Sequence, residues 1–474
     1  MTEGPGGSSV RGHATPCTQE ERGGGGCAPL CPRGSRSRRV LLIENHTVRG
    51  AGRRSEPGTR PPLGRAGAVI DWPHGPVPVH PRLPVSVDPL AVTRPRNRRQ
   101  LISEAAGRVF SERGYHAASM EEIAARVGIS AAALYRHFPN KYALFSACAD
   151  TMVDRLTEAL DEVPSEAGLR ETLLPVVRVS VTHRASSGLY RWEARYLEAE
   201  ERQSLRTKFG RLVARTTQAV RREHPGPSVE SRALAALGAI GSITMHHVSI
   251  AQRSAEEILL ASALDVAATD PTAREGAAHA VDLPARPAPR TRRAEILAAA
   301  VPLFARHGFA KVTNGQIAEA VGLVPSALYR HYPTKMDVLV AACLQAAELL
   351  TQAVGRSLDG ATGPREALNA LAATYVAYSF EYTELTSVAE AEVAGLPEGL
   401  RRPLVLAQRE HIAVWEEQLL LARPELNPRQ ARVLVHAGFG VVVEAGRGLH
   451  WRDTPAHRDE VTALVVGALG LTAP

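Results

Sequence analysis

Two stretches of this chain are near copies of one another. Residues 119–141 read SMEEIAARVGISAAALYRHFPNK, and residues 313–335 read TNGQIAEAVGLVPSALYRHYPTK. Tyr135 falls on Tyr329, an offset of 194 residues, and the match holds without a gap from Arg99/Arg293 to Leu144/Val338. Roughly a third of the paired positions are identical. A fixed internal period constrains a fold more than any local signal. This one is far too long for a stacked repeat, so it predicts two whole domains in tandem.

Each copy reads as a helix-turn-helix, over 119–138 and 313–332. In the first, Ser119 and Glu122 have the S-x-x-E spacing of a capping box, which starts a helix. Ile123, Ala124 and Val127 give that helix one apolar face, and Gly128 ends it where the chain needs a positive φ. Ser130 is the next N-cap, with Leu134 and Phe138 on the buried side of the helix it opens. Two helices that cross closely need a small residue, a glycine and an apolar plug, which here are Ala124, Gly128 and Leu134. The second copy repeats them as Ala318, Gly322 and Leu328. Thr313 with Gln316 forms its capping box, and Pro325 stands at the first helical position, where proline is favoured. A helix-turn-helix places its second helix in the DNA major groove.

The order of these features, ending in LYRHFPNK and LYRHYPTK, resembles the tetracycline-repressor (TetR) family of bacterial transcription regulators. The resemblance covers about 50 residues in each copy. It implies an all-α fold with two tandem TetR-like units, each an N-terminal three-helix DNA-binding domain followed by a helical regulatory domain. It also implies that Tyr135, His137 and Lys141, with Tyr329, His331 and Lys335, contact the DNA backbone. A phenol, an imidazole and an ammonium can each donate to a phosphate oxygen. Ser119 and Thr313 begin the supporting helices, where a cap hydroxyl and free amides also bind phosphate.

Base readers are harder to name. The first reading helix opens Ser130, Ala131, Ala132, Ala133, and alanine can touch a thymine methyl but cannot read a hydrogen-bond pattern. The second opens Pro325, Ser326, Ala327, with a single hydroxyl. Arg136 and Arg330 can reach guanine or the backbone. Glycine at 315 inside a short helix costs about 1 kcal/mol. These departures reduce the expected sequence specificity, more so for the second copy.

Charge supports a polyanion partner. The chain carries +7 overall, yet residues 93–145 carry +5, residues 290–341 carry +4, and 146–289 with 342–474 together carry −7. Clustered positive charge on the two repeats is an electrostatic footprint for double-stranded DNA. No apolar run in the sequence reaches a membrane span and no signal peptide precedes the first domain. A cytoplasmic, nucleoid-associated protein is therefore expected. Cys27 and Cys31, with His46 downstream, lack a second ligand pair, so no metal is expected. His246 and His247 fall in a predicted helix facing different ways, which argues against a shared metal ion. Cys148 and Cys343 read as small buried hydrophobes. No nucleophile elbow, zinc-protease, phosphate-loop or dinucleotide motif occurs, so neither an enzyme nor a cofactor is expected.

Taken in order, residues 1–89 form a Gly/Pro/Arg-rich extension that cannot bury enough surface to order itself. It reads either as a basic arm or, preferred, as translation from upstream of a true start near Val85 or Val87. The first DNA-binding domain is expected over 96–156, with Arg94, Arg96, Arg98 and Arg99 crowding its entrance towards phosphates. Its regulatory domain spans 157–268. Residues 269–289 form a linker with four prolines, about 25 Å long on average and extensible to about 70 Å. The second DNA-binding domain follows over 290–350 and the second regulatory domain over 351–474. Predicted regulatory helices include 190–204, 205–224, 228–251, 255–268 and a short 386–394.

The aromatics Trp192, Tyr196, Tyr375, Tyr378 and Trp415 are candidates for a small-molecule pocket between helices, although at helical spacing such residues more often form core. The resulting expectation is a sequence-specific DNA-binding regulator, a ligand-responsive repressor. The alternatives are a helical ligand-binding or dimerisation protein in which one helix-turn-helix still binds DNA, or a non-specific DNA-coating protein. The family's dimers join through their last two helices. Here those are 232–251 with 255–268, and 431–449 with 460–471, both sets rich in small residues. That pairing predicts an intramolecular pseudo-dimer in preference to a homodimer with four readers.

Overall fold

A computed structural model describes residues 98–185, 196–272 and 281–471. The extension, Arg94, Arg96 and Trp192 lie outside the described residues, as does part of the linker. Among the described residues every regular element is helical.

The first half begins with α1 (Arg98–Ala117), α2 (Met120–Val127) and α3 (Ala131–Tyr135). Then come α4 (Lys141–Asp161), α5 (Leu169–Thr182), α6 (Ala199–Glu223), α7 (Val229–Gly241) and α8 (Gln252–Ala268). The second half repeats the opening with α9 (Arg292–His307), α10 (Asn314–Ala320) and α11 (Pro325–Leu328). It continues with α12 (Lys335–Leu358), α13 (Pro364–Glu381), α14 (Thr383–Glu392), α15 (Glu398–Ala422), α16 (Pro428–Gly448) and α17 (Pro455–Ala468).

The two three-helix units are built alike because the same positions are apolar. Ile102, Ala106, Phe110, Ile123, Leu134 and Phe138 are buried in the first unit. Ile296, Ala300, Phe304, Ile317, Leu328 and Tyr332 fill the matching places in the second. The tight turns are set by Gly128 (φ 70°) and Gly322 (φ 67°), in the left-handed region where a side chain would be strained. Cys148 and Cys343 are buried free thiols, each pushed up to about 12 by burial.

The halves meet through α7, α8, α16 and α17, which form a four-helix bundle within the one chain. The contact of α7 with α16 is the most extensive between any two helices. Small residues allow it: a β-carbon on Gly238 would lie 2.5 Å from the Gly440 carbonyl oxygen. Ser262 Oγ donates across the bundle to the Ala468 carbonyl at 2.8 Å. The described part of the linker is not free. Pro284 is buried, its carbonyl accepts from Tyr382 Oη at 2.6 Å, and Asp282 pairs with Arg356 at 3.0 Å.

Several elements differ from the sequence reading. The capping box at Ser119 is half made: Ser119 Oγ accepts from the Glu122 amide at 3.1 Å, while the Glu122 carboxylate turns to Arg113 and Arg126. The helix expected over 205–224 starts earlier, at Ala199, and the one expected over 386–394 is Thr383–Glu392. The helix expected over 228–251 stops at Gly241. Ser242 and Thr244 turn their hydroxyls back onto the Ala239 and Gly241 carbonyls, at 2.7 and 2.8 Å, and the chain tightens into a 3₁₀ turn before leaving the helix. His246 and His247 therefore lie outside a helix. One helix among the described residues, Lys335–Leu358, is long and apolar enough to cross a membrane by length and composition; here its apolar face packs inside the second half.

Candidate nucleic-acid interface

Each three-helix unit presents the end of its reading helix outward. In the first, Ser130 Oγ caps α3 by accepting from the Ala133 amide at 3.2 Å. Ala131 and His137 are half-buried, while Tyr135 and Arg136 are exposed. In the second, Pro325 opens α11, and Pro325, Ser326, Tyr329 and Arg330 are all exposed while His331 is half-buried. Tyr135 and Tyr329 leave about half their surface open, 47% and 52%.

The two tyrosines are held differently. Asn314 Nδ2 donates to Tyr329 Oη at 2.9 Å, tying the start of α10 to the reading helix. The matching position in the first copy is Met120, which is buried and offers no such bond. The Thr313 capping box is complete, with Thr313 N donating to Gln316 Oε1 at 2.8 Å. The second reader, which the sequence marks as the weaker, is thus the more firmly tied.

Both lysines, expected to contact phosphate, bond to backbone carbonyls of their own unit. Lys141 Nζ donates to the carbonyls of His116 (3.2 Å) and Ala118 (3.1 Å) and lies 4.7 Å from the Tyr115 ring centre. Lys335 Nζ donates to Phe309 (2.7 Å), Ala310 (3.4 Å) and Val312 (2.7 Å) and lies over the Phe309 ring. An ammonium has three donors, so Lys335 is fully engaged in holding the turn that follows α9. Burial lowers its pKa.

A pair of arginines has a bonding role that the sequence reading did not give them. Arg99, expected to reach phosphate, donates to the His137 carbonyl at 2.9 Å and lies over Phe138 at 4.3 Å. Arg293 does the same to the His331 carbonyl and lies 3.9 Å over Tyr332. Each clamps the end of a reading helix to the first helix of its unit. The identity of both arginines at the 194-residue offset was the available signal.

The aromatics proposed as a pocket pack instead as core. Trp415 is fully buried against Tyr375, His411 and Phe439, and Tyr378 Oη donates to the Ala346 carbonyl at 2.7 Å. Tyr196 stacks on Tyr115 with centroids 5.4 Å apart, and its hydroxyl donates to Glu392 at 3.1 Å. The large opening lies elsewhere. A cleft of about 890 Å³ separates α6 of the first half from α13, α14 and the end of α16 in the second. None of Tyr196, Tyr375, Tyr378 or Trp415 lines it.

A family model described as "Bacterial regulatory proteins, tetR family" matches twice, at 102–148 and at 296–342. The chain belongs to the TetR family. Its two matches cover the first three helices and the start of the fourth in each half, so the TetR-type unit is present in tandem. The "HTH-type transcriptional activator FasR" of Mycolicibacterium smegmatis is 46% identical over 67 residues, 14% of this chain and 30% of that protein. The "HTH-type transcriptional repressor AcnR" of Corynebacterium glutamicum is 39% identical over 80 residues, 17% of this chain and 40% of that protein. This TetR-family chain therefore spans well under half the length of these relatives. A crystal structure of a TetR-family transcriptional regulator from Bordetella parapertussis is 25% identical with a TM-score of 0.34, covering 37% of this chain and 93% of that one.

Proposed function

We propose that this TetR-family chain is a DNA-binding transcriptional regulator that offers two unlike readers to one operator from a single polypeptide. The observation that carries this reading is the pairing of two helix-turn-helix units, each exposing a tyrosine and an arginine at matched positions, through a four-helix bundle inside the chain. In a two-fold dimer the readers are identical and the operator is a palindrome. Here the exposed residues of one reader are Ser130, Ala132, Tyr135 and Arg136, and those of the other are Pro325, Ser326, Tyr329 and Arg330, so the operator is an imperfect palindrome.

Tyr135, Arg136, Tyr329 and Arg330 serve as the DNA-contacting side chains, with Ser119, Ser130 and Thr313 offering helix-start amides to phosphate. Lys141, Lys335, Arg99 and Arg293 shape the surface from behind. Among relatives one is named an activator and another a repressor, and the sign of regulation here follows from where the operator lies relative to the promoter. The protein works on cytoplasmic double-stranded DNA.

Selection of duplexes from a random pool tests this reading. A recovered site with two unlike half-sites, whose preference over random DNA survives rising salt, supports it. Binding that fails uniformly as salt rises, with no enriched sequence, identifies a non-specific coating protein instead.

A further inference from the structure

We propose that Glu392 sets the half-site spacing of the operator without touching DNA: with Tyr196 it forms a strut that fixes the two DNA-binding units at one separation. Neither residue belongs to a reader. Tyr196 lies between α5 and α6 of the first half, and Glu392 closes α14 of the second. The consequence for the operator rests on the proposed function; the strut itself does not.

The repeat puts the same corner on each unit. Gly114 (φ 75°) and Gly308 (φ 76°) stand at the 194-residue offset, and each is followed by an aromatic residue, Tyr115 or Phe309. Both corners meet one ring. Tyr196 stacks on Tyr115 with ring centres 5.4 Å apart and meets His116 edge-on at 4.7 Å. The same ring reaches the second unit, where a β-carbon on Gly308 would lie 3.7 Å from Tyr196 Cε1. Tyr196 Oη donates to Glu392 Oε1 at 3.1 Å, and that oxygen also accepts from the Phe309 amide at 3.3 Å. Just past Glu392, the 3₁₀ turn Val393–Gly395 runs against α1. A β-carbon on Gly395 would lie 4.0 Å from the Arg113 carbonyl oxygen. Leu396, the next residue, is buried in the core of the second unit. One short segment thus touches both units.

Burial makes this contact specific to one register. Glu392 is 7% exposed and Tyr196 8%. A buried carboxylate is costly unless hydrogen bonds satisfy it. Sliding one unit past the other by a few ångströms takes donors away from Glu392. The four-helix bundle joins the halves through a core separate from those of the units, so the strut is a second tie, placed at the units themselves. On DNA, each base pair added between half-sites moves the second by about 3.4 Å and turns it by about 35°. Units held in one register cannot follow that displacement, and a second half-site that cannot be engaged at the same time adds nothing to affinity.

Two measurements on the full chain test this. Without DNA, spin labels at Ala132→Cys and Ser326→Cys, matched exposed positions on the reading helices, report the separation of the units. Cys17, Cys27 and Cys31 are replaced by serine, while the buried Cys148 and Cys343 stay. One narrow distance is expected with the strut intact, and a broader distribution in Glu392→Ala and in Tyr196→Phe. With DNA, the unlabelled chain is titrated with duplexes whose selected half-sites are moved apart or together by two base pairs. That change should cost the unaltered chain about tenfold or more in affinity and Glu392→Ala about threefold or less, while both bind a lone half-site equally. Circular dichroism checks folding, and Tyr196→Phe, which removes one oxygen and keeps the ring, carries the test where Glu392→Ala does not fold. A broad distance or a flat spacing profile in the unaltered chain overturns the proposal. So does a narrow distance retained in the folded variants, or a loss of affinity that is the same at every spacing and on a lone half-site. A narrow distance that the variants release, with no sequence enriched from a random pool, would count against the regulator reading and leave the strut standing.

Discussion

Gly238 and Gly440 face each other across the two halves, so close that a β-carbon on Gly238 would stand 2.5 Å from the Gly440 carbonyl oxygen. The atom in the way is backbone, which cannot swing aside as a side chain can. The bundle that joins the halves depends on both positions remaining glycine.

Gly440→Ala is expected to cost about 1–3 kcal/mol, the usual cost of overpacking, in spite of the helix-propensity gain from alanine. Gly210→Ala is the control. Gly210 lies inside α6 with nothing within 4 Å of a new β-carbon, so that change should stabilise the helix by about 0.5–1 kcal/mol. Thermal denaturation of the two variants should move in opposite directions.

The gripping lysines give a second expectation. Lys335→Met leaves three carbonyls without their ammonium and should lower stability by about 1–3 kcal/mol. The salt dependence of DNA binding should remain unchanged. Arg136→Ala should leave stability alone and lower the salt slope by about 1. Urea unfolding and binding titrations at several salt concentrations separate the two effects.

A third concerns acid. His246 and His436 stack across the halves, ring centres 4.2 Å apart. Burial holds both in the neutral form, lowering His436 to about 4 and His246 well below its ordinary value. Arg432 and, for His246, Arg184 and His247 add to this. The unfolded chain binds these protons near pH 6.5 and the folded chain does not, so stability falls as pH drops from about 6.5 towards 4. For His436 the loss approaches about 3 kcal/mol at pH 4. His436→Phe should flatten the melting temperature between pH 7 and pH 4.5 relative to the unaltered chain.

The contact between the two halves beside the DNA-binding units gives a fourth. Tyr196→Phe removes the hydrogen bond to Glu392 and should cost about 1 kcal/mol. A double-mutant cycle with Glu392→Gln should show a coupling of about 0.5–3 kcal/mol. A coupling near zero would remove Tyr196 as a link between the readers.

Much of this fold was legible from residue pairs alone. Ile102/Ile296, Phe110/Phe304 and Leu134/Leu328 sit at the repeat offset and all are buried, because one apolar pattern dictates one three-helix core. Small residues in the penultimate helices pointed to close packing, and Gly238 with Gly440 is where it occurs. The roles of Lys141, Lys335, Arg99 and Arg293 were not legible. A cation near a helix end has the same sequence signature whether it serves a phosphate or a carbonyl, and only its distance to the carbonyls decides. The cleft was illegible for another reason: its walls come from α6 and α14, whose lining residues lie more than 150 positions apart, and no local pattern records that they face one another. Ser242 and Thr244 ended α7 through their own side chains, where apolar periodicity alone predicts a continuing helix.

The central claim is that one chain carries two working, unlike readers. It is tested by native mass spectrometry of the full chain bound to a duplex selected from a random pool, with footprints of two double variants. The expected complex holds one chain per duplex. Tyr135→Ala with Arg136→Ala should erase protection on one half-site, and Tyr329→Ala with Arg330→Ala on the other. Two chains per duplex, or a footprint that ignores the second pair, would contradict it.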